Sequence, residues 1–82
     1  MKERFEYYIL NNRLFVYDTN STFIVYWQNN DWYEECNLNI SDLNNATKIE
    51  EAQALQMTNG AHPLKYIEEL IEQDMYKYIY CP

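Results

Sequence analysis

The chain has 82 residues, 48% of them apolar and 17% aromatic, with one Gly and two Pro. That length confines it to a single domain, residues 1–82, and the aromatic content excludes a disordered chain. Thirteen acids against six basic residues give a net charge of −7, which disfavours direct binding to nucleic acid or to an anionic membrane, since both need a cationic face.

The N-terminal half reads as a succession of short strands. "RFEYYIL", Arg4 to Leu10, is rich in aromatic and β-favouring residues. Asn11-Asn12 follows, and Asn tolerates the positive φ of a two-residue hairpin turn. "RLFVYD" is predicted as the second strand and Thr19 to Ser21 as a turn. "TFIVYWQ", Thr22 to Gln28, is predicted as the third strand, Asn29 to Asp31 as a turn, and "WYEEC" as a short fourth strand. Three polar turns at close spacing predict an antiparallel meander over about residues 5–36. Alternation places Phe5, Tyr7, Ile9, Leu14, Val16, Phe23, Val25 and Trp27 on one apolar face. The opposite face would carry Tyr8, Phe15, Tyr17, Ile24, Tyr26 and Tyr33. A monomer rarely leaves so large an apolar patch exposed, so this face implies a homodimer, a partner, or closure of the sheet on itself.

"NLNISDLNNA" reads as a loop in which Ser41-Asp42 begins a helical turn. "TKIEEAQALQM" then opens with a capping box, Thr47 followed by Glu50, and carries an apolar stripe through Ile49, Ala52, Leu55 and Gln56. Gly60 is placed as the C′ residue that ends this helix. Pro63 is placed at the first position of the next helix. Leu64, Ile67, Leu70, Ile71, Met75 and Tyr78 recur there at three and four. Tyr76, Tyr78 and Tyr80 alternate, so the end of this segment reads as helix through about Tyr78 or as a closing strand. The fold class is therefore α+β: a three- to four-stranded antiparallel meander with one or two C-terminal helices on one face.

Catalytic and metal chemistry leave no recognisable motif. His62, the single His, stands beside Pro63 at a helix start, where it reads as a flanking residue and not as a base. Neither Cys36 nor Cys81 has a basic neighbour to lower its pKa. The Cys and His residues have no zinc spacing, and one Gly cannot make a phosphate-binding loop. The pairs Glu34-Glu35, Glu50-Glu51 and Glu68-Glu69 are adjacent in sequence, which on a helix separates side chains by about 100° and makes no acid/base pair. The expectation is a non-enzyme with no cofactor and no metal. Two cysteines and no evident signal sequence suggest a cytoplasmic protein with free thiols; had a signal been removed, a Cys36–Cys81 bridge would be open to it.

The acids are unevenly placed. Beyond Arg13, 69 residues carry three positive and eleven negative side chains. Glu68, Glu69, Glu72 and Asp74 are predicted opposite the apolar stripe of the last helix. Asp31, Glu34 and Glu35 decorate the end of the sheet, next to Trp27, Trp32 and Tyr33. Solubility and helix capping account for each acid singly. Together they make a one-signed field suited to a basic groove, with carboxylates in place of phosphates and aromatic rings in place of bases. The candidate contact residues are Trp27, Asp31, Trp32, Tyr33, Glu34, Glu35, Glu68, Glu69 and Glu72. The alternative for the two tryptophans is that they cap the core.

In size, acidity, its ten Asn and nine Tyr, and its want of catalytic residues, the chain resembles small phage-encoded inhibitors of bacterial defence systems, including anti-CRISPR proteins. It is similar in kind to the acidic immunity proteins that block toxic nucleases. The resemblance implies binding and inhibition of a basic, nucleic-acid-acting partner, such as a CRISPR effector or nuclease, in the cytoplasm of a host cell. It covers no defined motif and assigns no residue. The alternative is a self-associating structural or adaptor module that uses the aromatic sheet face.

Overall fold

The structure, a computed structural model, describes residues 3–80. Its elements in chain order are β1 (Phe5–Leu10), β2 (Arg13–Asp18), β3 (Ile24–Gln28), β4 (Asp31–Glu34), a 3-10 turn (Ile40–Asn45), β5 (Thr47–Ile49), α1 (Glu51–Met57) and α2 (Leu64–Tyr80). Every strand pairing is antiparallel and the order is β4-β3-β2-β1-β5. The predicted α+β class holds, with a fifth strand that the sequence reading did not contain.

The meander follows from its turns. Asn11, Asn12, Asn29 and Asn30 all have φ between 54° and 63°, as primed two-residue hairpins require. The second of these turns is Asn29-Asn30 alone; Asp31, predicted within it, already pairs with Gln28. The middle connection is wider. Thr22, at φ 66°, donates its N–H to the Asp18 carbonyl at 2.7 Å, so β3 starts at Ile24 and not at Thr22. The Asp18 carboxylate organises this corner. It is fully buried and accepts from Arg4 Nε at 2.9 Å, Arg4 Nη2 at 3.1 Å, the Asn20 N–H at 3.0 Å and the Ser21 hydroxyl at 2.7 Å.

The predicted helix start at Thr47 is overturned. Without β5, the outer edge of β1 would show unpaired N–H and C=O groups. Thr47–Ile49 fills that edge, pairing with Ile9, Tyr8 and Tyr7. The N-terminus of the helix moves three residues on: Glu50 is the N-cap, and its N–H donates to Gln53 Oε1 at 3.2 Å. The far end also shifts by one position. Asn59, at φ 55°, takes the left-handed C′ place predicted for Gly60. Gly60, at φ 85°, then sends its N–H back to the Leu55 carbonyl at 2.7 Å, the long bond of a Schellman ending. Pro63 stands just before α2 and not in its first turn; its carbonyl accepts from the Ile67 N–H at 2.9 Å. The helix runs to Tyr80, so the alternating tyrosines lie on helix and not on a closing strand.

The sheet buries both faces. Tyr7, Leu14, Val16, Val25 and Trp32 pack under Ala54 of α1 and Ile67 of α2, with Phe5, Ile9, Phe23 and Trp27 at the margin. This is the predicted apolar face. The opposite face is not left open: Leu43, from the 3-10 turn, forms a second buried cluster with Phe15 and Ile24, and Tyr8, Tyr17, Tyr26, Leu38 and Ala46 pack around it, partly buried. The patch predicted to need a partner is partly covered by the chain's own loop: Phe15 and Ile24 are buried, Tyr8, Tyr17 and Tyr26 are half-buried, and Tyr33 is 38% exposed.

Candidate functional site

The β3–β4 hairpin and the exposed side of α2 carry the candidate residues. Trp27 and Trp32 face each other across the hairpin, with ring centroids 5.0 Å apart and planes at 66°. An edge-to-face pair of this kind adds about 0.5–1.5 kcal/mol to the area it buries. Trp32 is only 6% exposed, and its Nε1 donates to the Ala61 carbonyl at 3.2 Å. Trp27 is half-buried against the same core. Trp32 belongs to the interior and ties β4 to the loop before α2, whereas Trp27 packs on the core with part of its ring still open to solvent.

The other members of the hairpin point outwards. Tyr33 is stacked on Tyr26, centroids 5.6 Å apart, with the Arg13 guanidinium 5.0 Å over the Tyr26 ring. Asp31 is exposed, and its Oδ1 accepts from the Trp32 N–H at 2.8 Å. Glu34 is exposed, and Glu35, half-buried, receives the Asn37 N–H at 2.9 Å.

Tyr66 joins this strand to α2. Burial raises the pKa of its phenol; a hydrogen bond from the Glu34 backbone works against that, and the Glu34 and Asp31 carboxylates add to the rise. The Tyr66 phenol, on the first turn of α2, is thus within electrostatic reach of the acidic side chains of β4. Glu69 follows Tyr66 by three residues and occupies the same side of the helix. Glu68 lies on the other flank, towards Arg4, whose cationic form is favoured first by its hydrogen bond to Asp18 and also by the Glu68 charge. Glu68, Glu69 and Glu72 are all exposed. Asp74, predicted opposite the apolar stripe, continues the line of Ile67, Leu70 and Ile71, yet it too is exposed.

Lys65, exposed on the first turn of α2, stands three and four residues before Glu68 and Glu69 without closing an ion pair among the described residues. Among the described residues, Arg4 is paired with Asp18, Lys48 reaches Glu6 at 3.6 Å, and Arg13 covers Tyr26. The ion pairs among the described residues engage Asp18, Glu6 and Glu51, and none of the carboxylates of β4 or α2.

Comparison of the chain with protein-family models, curated protein sequences and solved structures gives no significant match. Its chemistry is legible only in its own residues. Among the described residues, no three His, Cys, Asp or Glu side chains converge as metal ligands, and no helix is long and apolar enough to cross a membrane. Cys36 is exposed and unbridged; Cys81, the other half of the disulfide reading, lies outside the described residues. Open clefts of about 470 and 240 Å³ flank the start of α1, with Glu3 and Glu51 in both.

One cluster escaped the sequence reading. His62 Nε2 lies 2.8 Å from Glu51 Oε1, and the Tyr7 hydroxyl is 3.3 Å from each. His62 Nδ1 accepts the Leu64 N–H at 3.1 Å. Both ring nitrogens are therefore occupied, which leaves the neutral ring no lone pair for a substrate proton. Burial first, and Glu51 second, raise the Tyr7 pKa, so the phenol stays protonated and donates. The residues of this clasp lie 44 and 55 positions apart in the chain, which is why no local pattern announces it.

Proposed function

We propose that the protein is a small, acidic, non-catalytic inhibitor of the anti-CRISPR or nuclease-immunity kind. It would occupy the basic nucleic-acid-binding surface of a CRISPR effector or nuclease in the cytoplasm of a phage's host cell. The observation that carries the reading is a set of exposed carboxylates on two ordered elements: Asp31 and Glu34 on β4, and Glu68, Glu69 and Glu72 on α2. Glu35 extends the set at the end of the strand. Charges carried on ordered secondary structure require no backbone ordering on binding, so the cost left is that of fixing their side chains.

In this reading the carboxylates take the place of phosphates, and Tyr33 offers the aromatic surface that a base would otherwise present. Trp27 and Trp32 serve the site from below by holding β4 in place. Self-association through the aromatic sheet face has less support, because Phe15 and Ile24 are already buried with Leu43 and the tyrosines beside them are partly buried.

The test is inhibition of cleavage by a panel of CRISPR effectors and basic nucleases, with the salt dependence of binding measured for each. A basic effector should be inhibited at low ionic strength, its nucleic acid should compete with the protein, and the affinity should fall as salt rises. Failure to bind any member of the panel at low salt, with the protein folded and monomeric, would refute the proposal.

A further inference from the structure

The geometry points to His62 as a proton-operated latch on the first turn of α2. The Leu64 N–H can only donate, so the nitrogen it reaches, His62 Nδ1 at 3.1 Å, must carry the lone pair. The ring proton then sits on Nε2, where it is shared between Glu51 Oε1 at 2.8 Å and the Tyr7 oxygen at 3.3 Å. One neutral tautomer satisfies all of these contacts together.

Protonation at Nδ1 breaks the arrangement on one side only. Two N–H donors would then face each other, and a positive charge would stand at the positive end of the α2 dipole. The bond to Glu51 survives and becomes an ion pair, but Glu51 is more than half exposed and solvent weakens that attraction. The groups around the ring are Glu51 from α1, Tyr7 from β1, and the Phe5 ring, edge-on at 5.2 Å with the Arg4 guanidinium 4.9 Å from it. Glu3 acts on Tyr7 from the chain before β1. The protonated ring therefore stays with Glu51 and lets go of Leu64, which frees the first N–H of the helix that carries Glu68, Glu69 and Glu72. The latch belongs to the fold and does not depend on what that helix binds.

NMR of the whole protein tests it directly, because His62 is the single His. Between about pH 8 and about pH 5, the range in which an imidazole titrates, the nitrogen shifts should give the Nε2–H tautomer at the alkaline end. The Leu64 amide should move along the same curve as the ring, and its protection factor should fall about five- to tenfold as the bond is lost. His62→Asn supplies a carbonyl that accepts the N–H two residues on without titrating, so the Leu64 amide should become flat over this range. The latch is overturned by a Leu64 amide that ignores ring protonation, by an Nδ1–H neutral tautomer, by a ring that stays neutral until the protein unfolds in acid, or by a His62→Asn variant that keeps the wild-type curve.

Discussion

Replacing Asp18 with Ala should be among the most damaging single changes in the sheet. The carboxylate accepts four hydrogen bonds, two of them from Arg4. Its loss leaves the Asn20 N–H and the Ser21 hydroxyl without their acceptor and the guanidinium without its counter-ion. Removing one partner of a buried ion pair costs about 3–5 kcal/mol. Arg4 is 33% exposed and recovers part of its hydration, which brings the expectation down to about 2–4 kcal/mol. A domain of this size has roughly 4–12 kcal/mol in all, so the variant should fold but be far weaker. With a urea slope near 1 kcal/mol/M, the midpoint should drop by about 2–4 M. The pH dependence carries a second signature. Burial alone would raise the Asp18 pKa, but the bonds from Arg4, Ser21 and Asn20, with the charge of Arg4, hold it below the ordinary value. A depressed carboxyl contributes stability that is complete above the unfolded pKa, about 3.9, and is lost as pH falls through the folded one. Asp18→Ala should therefore flatten the acid end of the stability curve. A variant within about 0.5 kcal/mol of the wild type, with the acid slope unchanged, would refute this account of the corner.

Two further substitutions separate core from surface. Trp32→Ala removes a buried ring and its bond to Ala61, and should cost about 3–5 kcal/mol, seen as loss or a large downward shift of the thermal transition; unchanged melting with lost binding would mark Trp32 as a contact instead. Leu43→Ala should cost about 2–5 kcal/mol and uncover Phe15 and Ile24, so sedimentation should detect stronger concentration-dependent association than in the wild type; a variant that matches the wild type in both association and stability would show that the 3-10 turn is not an effective cover.

The hairpins were legible because Asn at both turns is a local signal, and the core face because alternation in β1, β2 and β3 is regular. The helix boundaries were less so. Thr47 with Glu50 and Glu50 with Gln53 are both competent capping pairs three residues apart, and the unfilled edge of β1, a long-range demand, decided between them. The cover over the second face escaped notice because Leu38, Leu43 and Ala46 follow no helical or strand period. Their spacing has meaning only once the sheet beneath them exists. Of the candidate residues, the acids could be read as exposed from charge alone. The tryptophans could not be assigned, since strand alternation gives the face of Trp32 but not the loop at Ala61 that closes over it. The Tyr7–Glu51–His62 clasp joins three separate elements and has no sequence signature.

The central claim, that the carboxylates of α2 are a contact surface for a basic partner, is most directly tested by calorimetric titration of the triple variant E68K/E69K/E72K against an effector that the wild type inhibits. Each reversal adds two charges, taking the net charge from −7 to −1, and all three positions are exposed, so circular dichroism and melting should be nearly unchanged. The account predicts that affinity falls by about 100-fold or more, since each reversed contact is worth about 1 kcal/mol or more at a charge-complementary interface, and that the salt dependence of whatever binding is left becomes shallow. Wild-type affinity with an unchanged salt dependence would contradict it.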